Sequence, residues 1–143
     1  MAQIDNSEVV RHVLDTLINI SSRKTTQGHA MSTMADLIKR LKDKYDFLKN
    51  VEVNDTRFIE GGEPVTVMAG INKVKSNELG TALCDIIKTM NIALGKDAGY
   101  FFIKELKNNL QDTYSTSFED MGLDLGLMQL ENEIRELGKK IQK

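Results

Sequence analysis

The sequence predicts a predominantly helical α+β fold over one domain, residues 1–143: four or five helices packed as a bundle, with one small antiparallel β-hairpin at about 51–69 inserted after the second helix. Three observations carry this. Most of the chain spaces its apolar residues at intervals of three and four, the helical period. That period gives way to alternation only around residues 51–67. A single proline, Pro64, falls inside that same stretch and nowhere else, so nothing interrupts the long helical segments.

The first helix starts near Ser7, an N-cap residue type, with Glu8 in the first turn where its charge meets the positive helix end. Val10, Val13, Leu14, Leu17 and Ile18 form its apolar stripe, which stops at Ser21-Ser22. Residues 21–28 are polar and read as a connection, with Thr25, Thr26 or Gln27 opening the next helix. From there Met31, Met34, Ile38, Leu41, Tyr45 and Leu48 alternate three and four apart, a heptad-like seam that predicts a second helix over 30–48. Leu37 widens the seam, and Lys39, Arg40, Lys42, Asp43, Lys44 and Asp46 make the opposite, solvated face.

At Val51 and Val53 the pattern becomes alternation, continued by Val65 and Val67 beyond Gly61-Gly62. Paired glycines reach positive φ without steric cost, which suits a hairpin turn, and Pro64 restricts its strand to an edge or a strand start. Helical spacing returns after Gly70. Asn72 or Ser76 caps a helix with the face Leu79, Leu83, Ile86, Ile87, Met90 and Leu94, closed by Gly95. Asp97 caps a further helix carrying Tyr100, Phe102, Ile103, Leu106 and Leu110. Ser117 and Asp120 resemble a capping box that opens the last helix, 123–141, with Leu123, Leu127, Leu130, Ile134, Leu137 and Ile141 along one side.

Composition narrows the function classes. A formal net charge of -2 is not that of a dedicated nucleic-acid binder, which carries a basic excess to displace counterions from phosphates. The single cysteine, Cys84, suits a reducing compartment. No apolar run approaches the roughly 18 residues that span a bilayer, and the first residues lack a basic-then-apolar signal. A cytoplasmic protein with no membrane partner is expected. His12, His29 and Cys84 lack metal-ligand spacing, and GxSxG, Walker A and GxGxxG are absent. Glu60 and Glu63 flank the turn glycines with no companion nucleophile. The expectation is therefore no enzyme, no catalytic residues, no cofactor and no metal.

What remains is surface. The heptad-like helices 30–48 and 123–141 predict a non-enzymatic interaction or signalling module that self-associates as a homodimer, with Leu127, Leu130, Ile134, Leu137 and Ile141 as the contact row. Charge blocks accompany it. Between Lys107 and Arg135 lie six acidic residues and no basic one, whereas 39–49 hold five basic residues against two acidic. Two alternatives compete. Basic helix 30–49 with hairpin 57–68 as a wing would make a DNA-binding regulator. Arg23, Lys24 and His29, among hydroxyls at a helix start, would bind phosphate or pass a phosphoryl group through His29.

Overall fold

The structure is a computed structural model that describes residues 5–24, 26–53, 65–93, 95–131 and 134, without the side chains of residues 24, 27, 93, 95–101, 111 and 112. It is mainly helical, with one two-stranded antiparallel sheet, as the periodicity predicts. Helix α1 (Asn6–Lys24) is followed by α2 (Gln27–Leu41), a 3-10 turn (Asp46–Asn50), strands β1 (Val51–Val53) and β2 (Val65–Val67), and a second 3-10 turn (Ala69–Lys73). Then come α3 (Ser76–Ala93), α4 (Gly95–Met121) and a helical stretch at 125–131. The helical segments slightly outnumber the four or five expected, because the two 3-10 turns carry no periodic signal of their own.

Helix α1 is central and packs against α2, α3, α4 and β2. It buries Val9, Val10, Val13, Leu14, Leu17, Ile18 and Ile20, a stripe wide enough to meet neighbours on several sides. Its first i→i+4 bond runs from the Val9 N–H to the Asp5 carbonyl at 3.1 Å, so Ser7 lies in the first turn rather than at the cap. The free Ser7 N–H is satisfied from afar: it donates to Asn72 Oδ1 at 2.7 Å. Asn72 thus caps α1 and not α3, whose first bonds run to the Lys75 carbonyl.

The polar stretch 21–28 is mostly helix rather than connection. Thr26 sits in extended conformation, and its Oγ1 accepts the His29 N–H at 3.1 Å, which starts α2. The predicted helix 30–48 is shorter than its seam: α2 ends at Leu41, where the carbonyl accepts both the Lys44 and Tyr45 N–H groups. No glycine or proline marks that end. The chain leaves the helix so that Tyr45 reaches α3 while Leu48 enters the core from the 3-10 turn. Tertiary contacts override a run of good helix formers there.

Val51 pairs with Val67 and Val53 with Val65. Val51 and Val65 are buried, and Glu52 and Thr66 face solvent, the expected alternation. The turn glycines, Pro64, Glu60 and Glu63 lie outside the described residues, as does most of the 57–68 segment.

Helix α3 buries Leu79, Ala82, Leu83, Ile86, Ile87 and Met90 against α4. Helix α4 buries Phe102, Ile103, Leu106, Leu110, Tyr114 and Phe118, and runs past Ser117 without a break. Ser117 therefore does not open a helix. The one irregularity in α4 is at Tyr114, whose φ of -117° and ψ of 20° mark a kink. The helix stops at Met121 because Gly122 takes a φ of 70°. The Leu123 N–H then reaches the Phe118 carbonyl at 2.8 Å and the Gly122 N–H the Glu119 carbonyl at 3.1 Å, a Schellman stop sealed by buried Phe118 and Leu123. Asp124 caps the next helical stretch, its Oδ1 accepting the Leu127 N–H at 3.0 Å. The predicted helix 123–141 thus begins two residues later.

Candidate interaction surface

Of the three phosphate candidates, Arg23 is already engaged: its guanidinium pairs with Glu105 of α4. His29 is exposed on the first turn of α2, and its N–H is taken by Thr26. The Lys24 side chain lies outside the described residues. Arg23 and His29 are not brought together by any bond of the structure, and one donor expected to be open for an anion is used by the cap.

The basic stretch 39–49 is split by the end of α2. Lys44 and Tyr45 converge on Asp85 of α3, with Lys44 Nζ at 3.1 Å and the Tyr45 hydroxyl donating at 2.5 Å to the same Oδ2. Lys44 also lies 5.3 Å from the centre of the Tyr45 ring. Burial alone would raise the Asp85 carboxyl, but hydrogen bonds from Tyr45 and Lys44 outweigh it and hold the group below its usual range. Burial, then the bond to Asp85, pushes the Tyr45 phenol up, and the Asp85 hydrogen bond and charge raise Lys44. Two shallow clefts flank this network. One of about 410 Å³ is lined by Lys44, Tyr45, Phe47 and Thr81 among others, and one of about 450 Å³ includes Lys49, Lys73 and Lys75. Asp46 and Glu78 line both, so the lysines there face carboxylates as well as solvent.

On the other side of the core, His12 Nδ1 and the Tyr114 hydroxyl are hydrogen-bonded, and their rings meet edge to face. Tyr114 is buried at the kink of α4, and burial raises its phenol, helped by the charge of Glu8. Neither residue lines an enclosed cavity among those described. This pair joins α1 to α4 and has the character of a structural contact.

The contact row lies at the C-terminal side. Helical stretch 125–131 has two apolar sides. Leu125 (0% exposed) and Met128 (6%) are built into the core beside Leu123. Leu127 (51%), Leu130 (51%) and Ile134 (59%) are each exposed by half or more. Leu137 and Ile141 lie outside those residues. The seam of 30–48 is spent differently: Met31, Met34, Ile38 and Leu48 are buried within the chain, and Leu41 and Tyr45 are packed on the same core. Among the described residues, only the later of the two heptad-like seams is exposed by half or more. Glu119, Asp120, Asp124 and Glu131 are all exposed.

Two exposed apolar residues escaped the sequence reading, Met68 (51%) and Ile92 (70%). Ile92 sits one residue past the buried Asn91 and off the stripe of α3, a position that helical phase alone would have exposed. Asp85 and Asn72 also went unnoticed as partners, because their roles depend on segments distant in sequence. Among the described residues, no three or more His, Cys, Asp or Glu side chains gather as a metal site. No helix among them is long and apolar enough to cross a membrane. Comparison of the chain with protein-family models, with curated proteins and with solved structures finds no match in any of the three.

Proposed function

We propose that this chain is a non-enzymatic protein–protein interaction module that self-associates through the outward row of its last helix, Leu127, Leu130 and Ile134, continued in sequence by Leu137 and Ile141. The observation that carries the reading is the division of one helical stretch into two apolar sides. Leu125 and Met128 are buried, while Leu127, Leu130 and Ile134 are each exposed by half or more. A lone exposed leucine is ordinary, but three in one row at helical spacing are a patch of the kind that marks a contact with another protein. In contrast, the seam of 30–48 is filled by its own chain and offers no second face.

Size-exclusion chromatography with light scattering tests this directly. The unmodified chain should show a mass above that of one chain in the micromolar range, and Leu130→Asp should return it to one. A one-chain mass for both proteins throughout that range removes the reading.

A further inference from the structure

We propose that the row seats on the lysine-lined cleft of a second copy of the chain rather than on its own equivalent. This deepens the self-association reading and rests on it. Two features argue for contact between unlike faces.

The first is the charge that travels with the row. Asp124 caps the stretch, and Glu131 follows Leu127 by four residues, a spacing that puts it on the same side of the helix. Residues 108–134 hold six acidic residues and no basic one, so the segment has no cation of its own to answer them. Packing the row on itself would set carboxylate beside carboxylate, around an apolar centre that weakens screening and strengthens the repulsion. The row calls for a surface that is apolar and cationic together.

The second is that the chain presents such a surface. In the cleft of about 450 Å³, Lys49 comes from the first 3-10 turn, Lys73 from the second, and Lys75 directly precedes α3. Asp46 and Glu78 also line it, which leaves three lysines against two carboxylates. Lys49 lies 3.4 Å from Asp46, whereas Lys73 and Lys75 are exposed and make no ion pair among the described residues. Half-buried Phe47 and Val74 give the cleft apolar walls. Met68 stands at its margin: it is 51% exposed, and its N–H donates at 2.9 Å to the carbonyl of Asn50, a lining residue. An exposed methionine adapts its shape to aliphatic partners. In this pairing the leucines cover Met68, and Asp124 and Glu131 meet Lys73 and Lys75 of the second copy.

Salt, charge reversal and mixing test the pairing on the full chain by light scattering and sedimentation. Raising NaCl from about 50 to about 500 mM should weaken association, because screening removes the attraction between unlike charges. A row packed on itself would tighten instead. Lys73→Glu with Lys75→Glu should weaken association roughly tenfold, as converting two exposed ion pairs into repulsions implies. The mixing experiment asks whether the two faces are different. At a concentration where that double variant and Leu130→Asp are each one chain alone, their mixture should associate, because one keeps an intact row and the other an intact cleft. Association that the lysine reversals leave unchanged and that salt tightens overturns the pairing of unlike faces and leaves self-association standing. A mixture that stays at one chain under conditions where the parent associates does the same. A one-chain mass for the parent throughout the micromolar range overturns both.

Discussion

The Met121 carbonyl lies directly over Gly80: a Cβ built on Gly80 would sit 1.9 Å from that oxygen. The end of α4 therefore touches the backbone of α3, and the glycine is required by closeness rather than by backbone angle. Replacing Gly80 with Ala must push apart two main chains, because the atoms the new Cβ meets first are the carbonyl oxygen and carbon of Met121 rather than the far end of a flexible side chain. The expected loss is about 3 kcal/mol, the upper part of the overpacking range, measured as a drop in urea midpoint with unchanged slope. Gly126 provides the opposite sign. There the nearest atoms to an added Cβ are 3.4 Å away or more, so Gly126→Ala should stabilise by roughly 0.5 kcal/mol through helix propensity.

The network of Lys44, Tyr45 and Asp85 predicts a pH-dependent stability. The Asp85 pKa falls on folding, so its carboxylate stabilises the fold above its unfolded value and loses that contribution as pH drops through the folded one. Tyr45 and Lys44 are raised, so their contribution is present below their unfolded values and is lost as pH climbs through the folded ones. Stability should therefore sag at both extremes. Asp85→Asn should be less stable than the parent near neutrality and converge with it only once pH has fallen below the lowered folded value, where the carboxyl is protonated in both states. A gap of constant size from neutral to acid pH would refute the coupling.

At the kink of α4, Tyr114→Phe removes the hydroxyl that meets His12 while keeping the buried ring against Phe118. His12 is only half-buried and regains water, so the cost should be about 0.5–1.5 kcal/mol, that of one hydrogen bond. A second readout is spectroscopic. The raised phenols of Tyr45 and Tyr114 should give a late phase in an alkaline absorbance titration, and Tyr114→Phe should reduce its amplitude.

The two sides of the last helix should respond differently to truncation. Leu125→Ala opens a fully buried site and should cost about 2–4 kcal/mol in unfolding experiments. Leu130→Ala removes a half-exposed side chain and should shift monomer stability by no more than about 0.5 kcal/mol, while lowering the mass seen by light scattering. If Leu130→Ala destabilises as much as Leu125→Ala at concentrations where only one chain is present, the row is core and not contact.

Helical phase and strand alternation were legible in the sequence alone. The stripe of α1 from Val10 to Ile18, the face of α3 from Leu79 to Met90, the alternation at Val51 and Val53, and the apolar row at Leu127, Leu130 and Ile134 all follow from residue spacing. Such patterns are local, because side-chain direction repeats with the backbone period. Which apolar row was covered was not a local matter. The seams 30–48 and 127–134 look alike in spacing, yet one is filled by the chain and the other faces out. Element ends were equally hidden: α2 stops at Leu41 because Tyr45 docks on Asp85, and α4 passes Ser117 because only Gly122 supplies the left-handed turn. Arg23 was a free cation in sequence and an ion-paired one beside Glu105. The sequence by itself determined the elements and their apolar sides, since both are set by near neighbours. Only the tertiary structure decided which of those sides, charges and caps were left for another molecule, since that depends on what distant segments bring against them.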